Sequence, residues 1–232
     1  MDFRDKSVIV TGGTGALGSA VVGALLAEGA HCHVPYIVAA EAERFPHRDH
    51  ERLRLVAVDD LADEAAVARL YASVRPLWAS IHIAGGFAMS GIAETGKSAL
   101  MAQIEMNLVS AYLCCAAAVR AMRGGAGGRI VNVASRPALE PRLGAGMTAY
   151  TASKAAVAAL TEAVAQEVVA DGILVNAVAP SIIDTSANRH AMPKSDFSLW
   201  PKPEEIAATI VFLASAANRV TRGAVVPVYG RS

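Results

Sequence analysis

Short runs of apolar and β-branched residues alternate along the chain with longer stretches whose apolar positions recur at helical spacing. The strand-like runs are Ser7 to Val10, His31 to Val34, Leu53 to Val58, Trp78 to Ile83, Arg129 to Val133, Ile173 to Val178 and Ala224 to Val228. Between them the periodicity predicts helices over about Ala16 to Glu28, Asp63 to Val74, Ser98 to Met122, Thr148 to Ala170 and Glu204 to Ala214. Strands joined by helices need crossover connections, so the pattern predicts an α/β fold with a doubly wound, seven-stranded parallel sheet flanked by helices on both faces. Gly124 to Gly128 follows a helix and precedes a strand, and reads as a helix stop and turn. Pro227 in the last run places that strand at a sheet edge, since proline cannot donate to a ladder. Residues 181–202 lack a clear period and form a candidate substrate lid over a single domain spanning 1–232.

Composition narrows the functional classes. Of 232 residues, 53% are apolar and 18% charged, which suits a sheet covered on both sides. Lys+Arg and Asp+Glu balance at 21 each, so nothing recruits nucleic acid or an anionic membrane, and a small-molecule partner is favoured. The longest uncharged stretch, Pro76 to Ala93, is broken by His82, three glycines and two serines, and reads as strand and loop rather than a membrane span. The N-terminal residues carry alternating charges and no secretory h-region. Three cysteines give no disulfide framework, which fits the cytoplasm. His31, Cys32 and His33 are too few and scattered to make a metal site, and His82, inside an apolar strand, reads as a satisfied core histidine.

The run from Thr11 to Gly18 lies between the first strand and the first helix. It fits Gly13-x-Gly15-x-x-Gly18 or Thr11-Gly12-x-x-x-Ala16-x-Gly18. Both registers let backbone approach a pyrophosphate at a helix N-terminus, where free N–H groups and the helix dipole stabilise an anion, as in a Rossmann-type unit. The second strand would carry an acidic residue at its end for a free ribose 2′-hydroxyl, but Tyr36 holds that slot and no arginine stands there, so NAD and NADP both remain open. Asp60 and Leu61, past the third strand, are candidates for holding the adenine by a carboxylate hydrogen bond and an apolar wall, the alternative being a helix N-terminal acidic residue before Asp63 and Glu64.

Tyr150 follows Ser135 by fifteen residues, and Lys154 follows Tyr150 by four. Carbonyl reduction needs a proton for the developing alkoxide. A free tyrosine, with a pKa of about 10, needs a positive neighbour to bring it toward neutrality. Lys154, one helical turn on, can supply that charge, and the small residues around the pair leave room for a cofactor. Ser135 follows an apolar strand at the carboxyl edge of the sheet and could hydrogen-bond a substrate oxygen. Asn107, inside a helical stretch where its amide competes with backbone bonds, suggests a functional kink.

Together these residues, from Thr11 to Thr185, resemble the short-chain dehydrogenase/reductase family in its short single-domain form, over essentially the whole chain. The resemblance implies a catalytic tetrad of Asn107, Ser135, Tyr150 and Lys154. In it Tyr150 is the acid/base, Ser135 orients the substrate oxygen, Lys154 binds ribose hydroxyls while depressing the tyrosine pKa, and Asn107 supports a water relay. It further implies cofactor contacts at Gly12, Thr14, Gly15, Ala16, Leu17, Gly18, Tyr36, Asp60, Leu61, Ala84, Gly85, Pro180, Ile183 and Thr185, besides Tyr150 and Lys154. Three departures stand out: Ala16 for a glycine, Ser181 for the glycine after Pro180, and His82 at the head of His82-Ile83-Ala84-Gly85.

The expected activity is NAD(P)-dependent hydride transfer between nicotinamide and a ketone or secondary alcohol. Phe87, Met89, Met147, Met192, Phe197 and Trp200 are candidate pocket residues and favour an apolar substrate. Arg136 and Arg142 could meet an anionic tail, which keeps a 3-oxoacyl-carrier reductase as an alternative. A non-catalytic NAD(P)-sensing regulator and a structural protein are the rivals from other classes. Small-residue helices resemble the family's subunit interface and imply a homo-oligomer, a tetramer or dimer.

Overall fold

The computed structural model describes all 232 residues. Its strands are β1 (Ser7–Thr11), β2 (His31–Tyr36), β3 (Leu53–Ala57), β4 (Leu77–His82), β5 (Gly128–Val133), β6 (Ile173–Pro180) and β7 (Val225–Val228). Its helices are α1 (Ala16–Ala27), α2 (Ala39–Glu43), α3 (Glu64–Ala72), α4 (Lys97–Ile104), α5 (Ser110–Met122), α6 (Arg136–Leu139), α7 (Thr148–Glu167), α8 (Ser186–Ala191) and α9 (Pro203–Ala214). All seven strands pair in parallel in the order β3-β2-β1-β4-β5-β6-β7. Strand order therefore reverses direction between β1 and β4, and a doubly wound sheet opens a crevice there at the carboxyl ends of its strands.

Alternation along β1 shows how the sequence builds two cores. Val8 and Val10 pack with Val21, Leu25, Ile206 and Ile210 on the side covered by α1 and α9. Ile9 points the other way, into a cluster with Leu70 of α3, Cys115 of α5 and Ala165 of α7. Pro227 lies in the edge strand β7, as expected. Gly124 (φ 78°) and Gly127 (φ 81°) adopt the left-handed conformation that stops α5 and turns the chain into β5. The helical run Lys97–Met122 is long and apolar enough to cross a membrane by length and composition, but half of its most apolar window is buried against the rest of the protein.

Residues 181–202, expected to lack a period, contain α8 and a short 3₁₀ turn, Phe197–Leu199. Both ends of this segment are fastened at one place. The Asp184 N–H donates to the Pro201 carbonyl at 2.9 Å. The Ser181 hydroxyl donates to the Tyr229 carbonyl at 2.8 Å, and the Arg231 N–H to the Leu199 carbonyl at 2.9 Å. Ser181, the departure from the family glycine, thus stitches the segment to the C-terminal tail. Trp200 is buried, with the Phe197 ring tilted beside it at 5.0 Å and the Arg189 guanidinium over Phe197.

A polar chain crosses the second core. Tyr71 of α3 bonds Ser80 (2.6 Å), Ser80 bonds His82 Nε2 (2.7 Å), and His82 Nδ1 meets Asn132 Oδ1 at 2.7 Å. Asn132 Nδ2 donates to Thr161 Oγ1 of α7 at 2.9 Å. Every link is buried and partnered, so the network costs little in desolvation while joining α3, β4, β5 and α7. His82 is the satisfied core histidine expected from its strand context. The three cysteines are free and buried, and burial pushes each thiol up to about 12.

Burial lowers the His82 pKa from 6.5 to about 4, against a weaker opposite pull from Asn132. The folded protein therefore binds fewer protons than the unfolded chain in that window, so the His82 contribution is present above pH 6.5 and lost as pH falls toward 4. The loss should reach about 3 kcal/mol near pH 4. Urea unfolding between pH 7 and 4.5 should show this decline in the wild type and a flatter profile in His82→Asn. Equal slopes in the two proteins would show that His82 does not carry the effect.

Candidate active site

The site is assembled where the loops after β1 and β4 diverge. Gly12 has φ 67°, and a Cβ on it would lie 2.6 Å from the Ala84 nitrogen. The loop after β1 is thereby seated directly on the loop after β4. A Cβ on Gly13 would lie 2.7 Å from Val34 Cγ1 of β2, and one on Gly18 would collide with the Gly12 carbonyl. Gly15, by contrast, has φ −75° and Ala16 opens α1, so the alanine at the family's glycine position is accommodated without strain. No side chain caps α1 and its first turn holds no acidic residue, leaving its leading N–H groups turned to the crevice mouth. That donor set fits a pyrophosphate. The Thr11 hydroxyl accepts from the Ala84 N–H at 3.3 Å and braces the same junction.

Asn107 is buried at the centre of Glu105–Val109, a π-helical turn between α4 and α5, which is the expected kink. Its Oδ1 accepts from the Gly86 N–H at 2.9 Å and its Nδ2 donates to the Gly86 carbonyl at 3.0 Å. Nδ2 also reaches Ser153 Oγ at 3.1 Å, and the Ser153 hydroxyl donates to the Tyr150 carbonyl at 2.7 Å. One amide thus ties the loop after β4 to the first turns of α7. A Cβ on Gly85 would lie 2.5 Å from Asn107 Oδ1 and 3.3 Å from Lys154 Nζ, so only glycine lets this loop pass between them.

Tyr150 and Lys154 stand one turn apart on α7. Lys154 is buried, its Nζ donates to the Val133 carbonyl at 2.9 Å, and burial pushes its pKa down to about 8. An ammonium has three donors, and the chain uses one of them here. Tyr150 is half-buried, with the exposed Phe87 ring edge-on to it at 5.0 Å. Ser135, two residues past β5, is buried and its Oγ has no hydrogen-bond partner in the chain. Burial raises the Tyr150 pKa, and the neighbouring Ser135 hydroxyl pulls the other way, although the two groups form no hydrogen bond of normal geometry. The net direction is opposite to the sequence expectation, because desolvation outweighs the downward pull on the phenol. A buried, unpartnered hydroxyl beside a phenol, with spare ammonium donors one turn away, is a site shaped for an external oxygen and ribose hydroxyls.

The remaining expected residues divide. Tyr36 ends β2 half-buried, and Pro180 is buried at the end of β6. Ile183 packs partly buried against the first core, while Thr185 Oγ1 accepts from the Asn188 N–H and caps α8. Asp60 is exposed and accepts from the Ala62 N–H at 2.8 Å, and Leu61 packs in the second core cluster. Asp63 is the cap of α3. Arg136 is engaged by Glu140 at 3.0 Å and stacks on Tyr229, which leaves Arg142 as the exposed cation of that loop. Among the pocket candidates, Met147 bridges to Ser90, which brings the Phe87 and Met89 loop over the start of α7. Sequence reasoning missed Gly86, Ser153 and the Val133 carbonyl as positioning groups. Of these only Ser153 carried a signal, as a serine three residues past Tyr150 able to bond back along the helix. Thr14 donates to Glu41 Oε2 at 2.8 Å, a contact with no local sequence signal.

Residues 6–196 match the short chain dehydrogenase family. The chain is 32% identical to 2,3-dihydro-2,3-dihydroxybenzoate dehydrogenase of Escherichia coli (strain K12), over 95% of this chain and 94% of that protein. It is 33% identical to cis-4-hydroxycyclohexanecarboxylate dehydrogenase of Sinomonas cyclohexanicum, over 98% and 96%. Among solved structures it superposes on ElxO with NADP bound at a TM-score of 0.87 and 26% identity, covering 97% of both chains. With the glycine turn, the half-buried Tyr150 and the buried Lys154 in place, this chain belongs to the short-chain dehydrogenase/reductase family and is an NAD(P)-dependent oxidoreductase.

Proposed function

We propose that the chain, acting as one domain over residues 1–232, interconverts a ketone and a secondary alcohol, with Tyr150 as the proton donor and acceptor. The observation that carries this reading is the buried, unpartnered Ser135 hydroxyl beside the Tyr150 phenol, at the carboxyl edge of β5. When bound, nicotinamide supplies a hydride to the carbonyl carbon or takes one from the alcohol carbon. Ser135 donates to the substrate oxygen and fixes its position. In reduction, Tyr150 gives its proton to that oxygen, and the phenolate left behind is stabilised by the Lys154 ammonium until solvent returns the proton. Lys154 also holds the ribose hydroxyls with the donors that Val133 does not use. The turn Gly12 to Gly18 takes the pyrophosphate at the N-terminus of α1, and Ala84, Gly85, Pro180, Ile183 and Thr185 flank the nicotinamide.

Phe87 and Met89, exposed beside Tyr150 and Met147, give the mouth an apolar lining and support an apolar ketone or alcohol. Residues 181–202 serve as the lid. Engagement of Arg136 by Glu140 weighs against a carrier-linked substrate held by that arginine. The exposed apolar residues Met101 and Tyr112 on the α4–α5 run support a homo-oligomer. Three reduced, buried thiols are consistent with the cytoplasm.

Tyr150→Phe removes the transferable proton and leaves the ring packing, so turnover should fall on the order of a thousandfold while NADH or NADPH binding changes little. Retained turnover over a carbonyl and alcohol panel would remove Tyr150 from the chemistry, and wild-type cofactor binding without any turnover would support the sensor reading. Asn107→Ala strands the Gly86 N–H and carbonyl, with a cost of about 1–3 kcal/mol in unfolding free energy. Its kcat should drop more than its KM rises, because the tie to α7 is lost together with the loop. A variant as stable and active as the wild type would show that the amide bridge does not position the site.

A further inference from the structure

We propose that Glu41 makes this enzyme selective for NAD over NADP, its carboxylate standing against the glycine turn as the acidic group that β2 does not provide. The inference rests on the reading of the turn after β1 as the dinucleotide cradle. In such units an acidic side chain about twenty residues past the glycines accepts from the adenosine ribose 2′-hydroxyl, while a cation there accommodates a 2′-phosphate. Here the residue ending β2 is Tyr36, and neither the turn from Thr11 to Gly18 nor the segment from Tyr36 to Glu43 contains a lysine or arginine. The chain instead folds α2 back over the turn. Gly13 packs on Val34 of β2, which sets the end of β2 beside the turn, and the Thr14 hydroxyl donates to Glu41 Oε2 at 2.8 Å. That bond occupies one carboxylate oxygen and leaves the other able to accept from a hydroxyl.

The charges around this corner point the same way. Asp59 and Asp60 follow β3, the strand beside β2, and Glu43 follows Glu41 on α2. Arg44, the nearest cation along the chain, donates its Nε to the Ala40 carbonyl at 2.9 Å, and Arg69 lies 4.0 Å from Asp59. Arg48 is taken up by Asp49 and the Glu43 carbonyl. A 2′-phosphate brought against Thr14 would meet the Glu41 carboxylate at close range with no cation directed at it. Like charges that near repel at any plausible local dielectric. A 2′-hydroxyl would meet an acceptor already held in place.

The test is direct titration of the purified protein with NADH and with NADPH, followed by calorimetry or protein fluorescence, for the wild type, Glu41→Gln and the neighbouring control Glu43→Gln. Glu41 is exposed, and thermal melts check that each variant is folded. The wild type should bind NADH at least about tenfold more tightly than NADPH. Glu41→Gln should shrink that ratio to about threefold or less by strengthening NADPH and weakening NADH, while Glu43→Gln should leave it unchanged. Raising the salt should narrow the ratio in the wild type and not in Glu41→Gln, because screening acts on charge repulsion and not on a neutral amide. Equal or tighter NADPH binding by the wild type overturns the proposal, as does an unchanged ratio in Glu41→Gln or an equal shift in Glu43→Gln. Binding of neither nucleotide by the folded wild type overturns the cradle reading itself, and the selectivity with it.

Discussion

The close contact between Gly12 and the backbone of Ala84 is the constraint on which the site depends. It forces the loops leaving β1 and β4 to touch before they part, one toward α1 and the other toward the π-helical turn at Asn107. Everything that follows is measured from that junction. The amino end of α1 faces the crevice because Gly18 lies against Gly12, and the loop after β4 threads between Asn107 and Lys154 because Gly85 has no side chain. No added side chain could be absorbed here by repacking, because the opposing atoms belong to backbone or to a fully engaged amide.

Around the junction, polar groups do the positioning that apolar packing cannot. Asn107 reads both the donor and the acceptor of Gly86, a match that an aliphatic residue of equal volume would not make. Deeper in, the chain from Tyr71 to Thr161 fixes β4 and β5 relative to α3 and α7. Because α7 carries Tyr150 and Lys154 and β5 leads to Ser135, the buried polar chain and the catalytic groups share the same struts. A core made only of aliphatic residues would leave the relative slide of these elements less sharply defined.

The strands and the long helices were legible because each buries a periodic apolar face. Every predicted strand is present within one or two residues of its expected ends, and Asn107 announced its kink through its poor fit to a helix interior. The short helices α2, α6 and α8 were not legible. They span six residues or fewer, too little for a period to show, and their positions are set by what they pack against. The partner of Thr14 was hidden for the same reason, since Glu41 lies 27 residues away and reaches the turn only once α2 has folded back. The tyrosine pKa eluded sequence reasoning for another cause. Spacing reveals that a cation stands one turn away, but the dielectric around a side chain is a property of the whole packed site.

The seam that holds residues 181–202 has its own consequence. Entry and exit are clamped side by side, by Asp184 to Pro201 and by Ser181 and Leu199 to the tail. Such an excursion, closed at its base and braced inside by the Asp184–Arg189 and Phe197–Trp200 contacts, holds together as one unit. Backbone scission at its outer bend would therefore leave both stubs held at the base, joined by the Asp184–Pro201 bond and tied by the bonds of Ser181 and Leu199 to the C-terminal tail.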